Sequence, residues 1–177
     1  EYLKWYKQKH RAKNLIKKSL YSLPEINGKE LYKYQIISCP GCHPTSILLP
    51  LIPLFRDKLV KVNNINIDSK SGYSGAGRDV HKKYENKNLY ESLSAYGVGF
   101  HRHNSEIEQT LLKYTDKTIS FNFTPHLTPM FRGIISTIYI DLENNITQNK
   151  IIKKLSDFYK KHNFIKVLKP NSLISTN

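Results

Sequence analysis

LYKYQIISCPGCHPTSILLPLIPLF, residues 31–55, holds both cysteines of the chain and changes character halfway along. Leu31 to Ser38 reads as a strand, rich in β-branched and aromatic residues. Pro44 to Leu54 is apolar almost throughout and reads as a buried helix, with Pro44 in the first turn, where a missing N–H costs nothing. A strand therefore delivers SCPGC to its C-terminal end, and a helix starts there. Pro50 and Pro53 fall inside that helix, and an interior proline costs on the order of 3 kcal/mol, so a kink or a break is expected. By itself Cys39-Pro40-Gly41-Cys42-His43 fits three chemistries: a dithiol redox pair, a haem attachment string, and a cysteine nucleophile beside an imidazole.

The rest of the chain bounds that choice. With 177 residues it is long enough for one domain with a real core. No apolar run approaches the ~20 residues of a membrane span, and EYLKWYKQKHRAKNLIKK at the start lacks the apolar middle of a signal peptide. A cytoplasmic protein with no membrane partner is expected, its two cysteines kept as thiols by a reducing compartment. Covalent haem attachment requires export and ranks last. The net charge of +14 raises the question of nucleic acid, but lysine outnumbers arginine 23 to 5, and Lys, Asn, Ile and Tyr make up 69 residues spread along the chain. There is no arginine cluster, zinc-finger spacing or RNP-type strand, so the basic surface reads as a solvated one with no nucleic-acid partner.

Further along, residues 2–20 read as a loosely amphipathic helix. Ile65–Asp68, Thr118–Phe123, Gly133–Leu142 and Phe164–Leu168 read as strands, and Thr147 caps a helix whose apolar positions Ile151, Ile152, Leu155, Phe158 and Tyr159 keep the helical period. The region from about Cys42 to Lys169 is expected to be one α+β unit.

Four segments carry residues suited to chemistry. A cysteine where a strand ends and a helix begins meets unpaired N–H groups and the positive end of the helix dipole, which favour a thiolate; that singles out Cys42 rather than Cys39. SGYSGAGR, residues 71–78, offers bare backbone N–H groups to a phosphate or oxyanion, with Arg78 as an anion partner. In YGVGFHRHNSEIEQ, residues 96–109, an extended backbone would put His101 and His103 on one face and Arg102 on the other, with a helix starting at Asn104-Ser105. FTPHLTPMFRGI, residues 123–134, reads as a stiff proline loop presenting Arg132. A zinc site would need Cys39, Cys42 and two of these histidines; with an apolar helix following the C-x-x-C at once, no metal is expected.

Taken together and in this order, PGCHPT, SKSGYSGAGR, YGVGFHRHNSEIEQ and FTPHLTPMFRGI resemble the N-acetyl-gamma-glutamyl-phosphate reductases of arginine biosynthesis. The resemblance implies an α+β catalytic domain like that of glyceraldehyde-3-phosphate dehydrogenase, with a mixed sheet and helices, over residues 40–177 and incomplete at its C-terminal end. Residues 1–39 would be the tail of a Rossmann-type NADP(H)-binding domain, whose glycine fingerprint this sequence lacks, so the chain is expected to be a fragment whose activity in isolation is in doubt. By the same resemblance Cys42 is the nucleophile that forms a thioester with an acyl phosphate, and His103, with His101 as the alternative, handles the proton. Arg78, Arg102 and Arg132 hold the substrate's anionic groups, and Ser74, Gly75 and Gly77 lie near the cofactor. It also implies a small-molecule substrate and a homo-oligomer. Two positions depart from the family pattern: Cys39 stands where asparagine is usual, and His43 where an aromatic is usual. Rival readings are a semialdehyde dehydrogenase for aspartyl or aminoadipyl phosphate, and a non-enzymatic basic nucleic-acid-binding module.

Overall fold

A computed structural model of the chain describes residues 2–78 and 91–176. Two short helices, α1 (Tyr2–Tyr6) and α2 (Lys13–Ile16), replace the single helix expected over 2–20. Lys7 turns left-handed at φ 56° after α1, and neither helix has a buried residue, so no packed face holds a longer helix together. β1 (Ser19–Tyr21) and β2 (Ile36–Ser38) pair in parallel, Ser19 opposite Ile36. They are joined by α3 (Pro24–Asn27) and a 3₁₀ segment over Gly28–Lys33, a helical crossover of the kind parallel strands require. The 3₁₀ segment takes up the first residues of the strand expected from Leu31; only its C-terminal end is extended.

The apolar run then forms α4 (Cys42–Arg56). Ile47, Leu48, Leu51, Ile52, Leu54 and Phe55 are all buried, as an all-round apolar helix must be. Of the kink or break expected at the prolines, the break does not occur. Pro53 has no N–H to give the Leu49 carbonyl four residues back, and the Tyr159 hydroxyl donates to that carbonyl instead, at 2.5 Å.

The main sheet contains β3 (Ile65–Ser71), β4 (Ser94–Ala95), β5 (Phe121–Leu127) and β6 (Ile134–Tyr139), in the spatial order β4-β5-β3-β6. β3 runs parallel to β5 and antiparallel to β6, and β4 runs antiparallel to β5. Along β3 the pleat buries Ile65, Ile67, Ser69 and Ser71 on one face and leaves Asn66, Asp68 and Lys70 half-buried on the other. That second face is polar: Asn122 Nδ2 donates to Asn66 Oδ1 at 2.8 Å, and His126 Nδ1 lies 3.0 Å from Asp68 Oδ1.

β5 starts three residues later than expected and takes in residues 123–127, the first part of the supposed proline loop. Pro125 is tolerated there because its carbonyl accepts from Tyr96 N at 3.0 Å, so its missing N–H faces the β4 side, where β4 is only two residues long.

α5 (His103–Leu111) lays Ile107 and Leu111 against α4, and α6 (Gln148–Tyr159) closes the core with Leu155 and Tyr159. Thr147 caps α6 as the sequence indicates, its hydroxyl accepting from Lys150 N at 3.4 Å. Phe164–Leu168 forms no strand; Phe164 is 95% exposed, so the alternation there has no buried face to serve.

Candidate active site

Cys39-Pro40-Gly41 carries the chain from the end of β2 to the start of α4, whose first residue is Cys42; both cysteines are exposed. The N-terminal end of an α-helix has unpaired N–H groups and the positive end of the dipole, and Cys42 stands there. Gly41 has φ −63° and ψ 164°, open to any residue, so it is not needed for its backbone. It is needed for space: a Cβ there would sit 2.4 Å from His103 Nε2 and 2.9 Å from the two neighbouring ring carbons. The imidazole of His103 rests directly against the chain beside the cysteine.

Glu106, one turn beyond His103 on α5, fixes that contact. Its Oε2 accepts from Gly41 N at 2.9 Å and from the Tyr21 hydroxyl at 2.8 Å, and its Oε1 lies 3.9 Å from His103 Nε2. Burial and the Glu106 charge push the Tyr21 hydroxyl pKa up, so Tyr21 stays a donor. His101 packs edge-on against the same ring. Its Nδ1 accepts from His103 N at 3.1 Å, and α5 begins one residue before the Asn104-Ser105 start expected. The HRH segment is thus a helix entry rather than an extended strand, yet both histidines still face the same cleft, with ring centroids 4.6 Å apart.

Three imidazoles crowd this floor, because His43, the second residue of α4, lies with its ring centroid 5.6 Å from that of His103 and 5.8 Å from that of His101. Burial first, then the neighbouring imidazoles, pushes His103 down to about 3. Burial and His101 push His43 down to about 4, and burial and Arg102 lower His101. The Glu106 carboxylate does not reverse this at His103; its second oxygen is already shared by two donors, and 3.9 Å is beyond hydrogen-bond reach. All three rings are neutral near pH 7, and burial makes them weaker bases than a free imidazole until a negative charge forms beside them. His43 belongs to a separate buried chain of polar groups. Its Nδ1 meets Ser69 Oγ at 2.8 Å and its Nε2 meets the Tyr96 hydroxyl at 2.9 Å, while Ser136 Oγ bonds both Ser69 and Ser46 at 2.7 Å.

Above these residues opens a cleft of about 1310 Å³. Cys42, His101, Arg102 and His103 line it together with Ser71, Gly72, Ser74, Gly75 and Ala76. Trp5 and Phe100, stacked with ring centroids 4.9 Å apart, form part of its rim. The glycine-rich segment is a 3₁₀ turn over Tyr73–Ala76; around Gly75 and Gly77 nothing lies within 4 Å of where a Cβ would be, so bare backbone is presented there.

Of the residues singled out in the sequence, the structure brings together Cys42, His101, His103, Arg102, Ser74 and Gly75. Gly77, Arg78 and Arg132 are exposed and do not line the cleft; the Arg132 guanidinium lies 5.0 Å over the Phe131 ring. Sequence reasoning missed Glu106 as the residue holding Gly41, although its i,i+3 spacing from His103 is the readable signal. It also missed Tyr96 and the serine chain behind His43, which lie on four different segments and leave no local trace.

Comparisons with known proteins give the family and the fold. Residues 42–177 match the family described as semialdehyde dehydrogenase, dimerisation domain. Over 175 residues the chain is 42% identical to the N-acetyl-gamma-glutamyl-phosphate reductase of Acetivibrio thermocellus, covering 99% of this chain and 51% of that protein. It is 46% identical over 166 residues to the enzyme of that name from Caldicellulosiruptor bescii, covering 94% and 48%. To the probable chloroplastic N-acetyl-gamma-glutamyl-phosphate reductase of Arabidopsis thaliana it is 42% identical over 168 residues, covering 95% and 42%. The chain spans about half the length of the curated relatives it matches. Among solved structures, aspartate semialdehyde dehydrogenase II of Vibrio cholerae complexed with ASA superposes with a TM-score of 0.65 at 15% identity, over 90% of this chain and 54% of that one. That likeness is one of fold, and it bears out the α+β reading.

Proposed function

Because the chain belongs to the semialdehyde dehydrogenase family through its dimerisation domain, we propose that it is the catalytic part of an NADP(H)-dependent reductase that converts N-acetyl-L-glutamyl 5-phosphate to N-acetyl-L-glutamate 5-semialdehyde in arginine biosynthesis. The observation that carries this reading is Cys42 at the first position of α4, with its Sγ within 4.8 Å of a ring nitrogen of His103.

In the proposed reaction the neutral His103 ring accepts the Cys42 thiol proton. Sγ bonds the acyl carbon, the carbon–oxygen bond to phosphate breaks, and phosphate leaves with the bonding pair, giving a thioester. Bound NADPH supplies the hydride that takes this acyl group to the aldehyde level. Ser74 and Gly75, which line the cleft, would hold the cofactor's reactive end, with Gly77 just beyond them in the same loop. As the aldehyde is released, the protonated His103 returns its proton to sulfur. His101 keeps the ring in place through its bond to His103 N, and Glu106 does so by holding Gly41. Arg102 in the cleft wall pairs with the substrate's anionic groups, aided by Arg78 and Arg132, which flank the cleft-lining stretches. The match to a dimerisation domain supports a homo-oligomer, and among the described residues no helix is long and apolar enough to cross a membrane.

In the full-length protein carrying this chain, phosphate-dependent reduction of NADP by the semialdehyde is expected to vanish in Cys42→Ser and to persist in Cys39→Ser. Full activity in Cys42→Ser refutes the reading. Kinetics with the aspartate and aminoadipate semialdehydes test the substrate, since one methylene in a pocket is worth about 1–3 kcal/mol.

A further inference from the structure

His43 has no part in the proposed reaction, yet it converges on the residues that do. Cys42 Sγ and one ring nitrogen each from His43 and His103 all lie within 4.8 Å of one another. Zinc bonds of about 2.3 Å to sulfur and about 2.0–2.1 Å to nitrogen put tetrahedral donors roughly 3.3–3.6 Å apart, so side-chain movements of about 1 Å close the set.

Three further features suit a ligand set. His103 is 8% exposed and its Nδ1 has no hydrogen-bond partner among the described residues, an unmet donor–acceptor site in the floor of the cleft. The other nitrogen, Nε2, lies 3.9 Å from Glu106 Oε1, too far for a hydrogen bond in the metal-free site, and a shift of about 1 Å would bring it within reach of that carboxylate. His43 is held from two sides by hydroxyls, Ser69 and Tyr96, so that either nitrogen can exchange its hydroxyl for a metal while the other keeps the ring oriented. Cys42 is exposed to the cleft, which gives an ion a way in.

We propose that Cys42, His43 and His103 form a binding site for a borderline-soft divalent cation of the zinc type, and that its occupation switches off the cysteine. This differs from the zinc set weighed from sequence, which used Cys39. One thiolate and two imidazoles select zinc over magnesium or calcium, which want oxygen donors. Three protein donors leave a fourth position open to the cleft. On binding, the Cys42 thiol proton goes to solvent and the sulfur lone pair goes to the metal, so that it no longer attacks an acyl carbon. The binding stands independently of the proposed reaction; the loss of turnover rests on it.

Cobalt(II) titrated into the full-length protein is expected to give, at one equivalent, a thiolate-to-cobalt charge-transfer band and the intense visible bands of tetrahedral coordination, both displaced by zinc. Cys42→Ser removes the charge-transfer band, Cys39→Ser keeps it, and His43→Gln weakens binding about tenfold or more. On the unmodified protein, zinc shields Cys42 but not Cys39 from iodoacetamide, read by mass spectrometry, so the site is testable even if His43→Gln does not fold. Absence of the band, parental affinity in His43→Gln, or equal alkylation of both cysteines with zinc present overturns the site. A bound metal that leaves turnover intact overturns the cysteine mechanism instead, and the site stands.

Discussion

Gly41→Ala is a one-methyl test of the site's geometry. The backbone at Gly41 accepts alanine without strain, so the substitution acts through a single contact. The added Cβ would lie 2.4 Å from His103 Nε2, about 1 Å inside an ordinary carbon–nitrogen contact. His103 cannot retreat freely: it is 8% exposed, its backbone N–H is held by His101, and the neighbouring Ile107 and Leu111 of α5 are fully buried against α4. Either the ring rotates away from Cys42, or α5 shifts and loosens the bond from Gly41 N to Glu106. A misplacement of about 1 Å costs on the order of 100-fold in rate, and overpacking costs about 1–3 kcal/mol in stability. The assay is kcat/KM for phosphate-dependent semialdehyde oxidation in the full-length protein, with a guanidinium unfolding curve alongside. Gly28→Ala, where the nearest atom is 4.0 Å away, serves as the control and is expected to change neither. If Gly41→Ala matches the parent in both measurements, His103 does not rest where the mechanism needs it.

Other substitutions separate the parts. Glu106→Ala strands the Gly41 N–H and the Tyr21 hydroxyl and is expected to cost about 1–3 kcal/mol in urea unfolding, whereas Glu106→Gln, which keeps an acceptor, costs less; equal losses would contradict the shared-acceptor role. Tyr159→Phe is expected to cost about 1 kcal/mol by freeing the Leu49 carbonyl, and less in a Pro53→Ala background, where a new N–H reaches that carbonyl; additive losses in the double-mutant cycle would show that the hydroxyl does not stand in for it. Asp57, held below its usual range first by the Lys154 ammonium, ties the end of α4 to α6. Its folded pKa is the lower one, so the contribution is present above the unfolded value of 3.8 and is lost as pH falls through the folded value. As Asp57 is about a third exposed, Asp57→Asn is expected to cost at most about 1 kcal/mol at pH 6 and progressively less as pH falls below 3.8, checked by unfolding curves across that range.

The sequence alone determined which residues are chemically able and where the helix at the centre of the fold begins. The run from Pro44 to Leu54 has to be buried whatever surrounds it, and a strand followed by PGC and a proline-led helix has to leave Cys42 at a helix start, because both are set by neighbours within a few residues. Thr147 as a cap is legible for the same reason. The sequence did not determine that α4 survives its prolines, since the hydroxyl that satisfies Leu49 arrives from Tyr159, 110 residues away. Nor did it fix Pro125 inside a strand, which depends on how far β4 extends beside it. At the site, only the packing of α5 on α4 makes Gly41 a gap for the His103 ring and Glu106 the acceptor that holds the gap open. Local pattern reports what a segment's own backbone and side chains demand, while contacts between distant segments are settled by packing, and the pairing of Cys42 with His103 is a contact of that second kind.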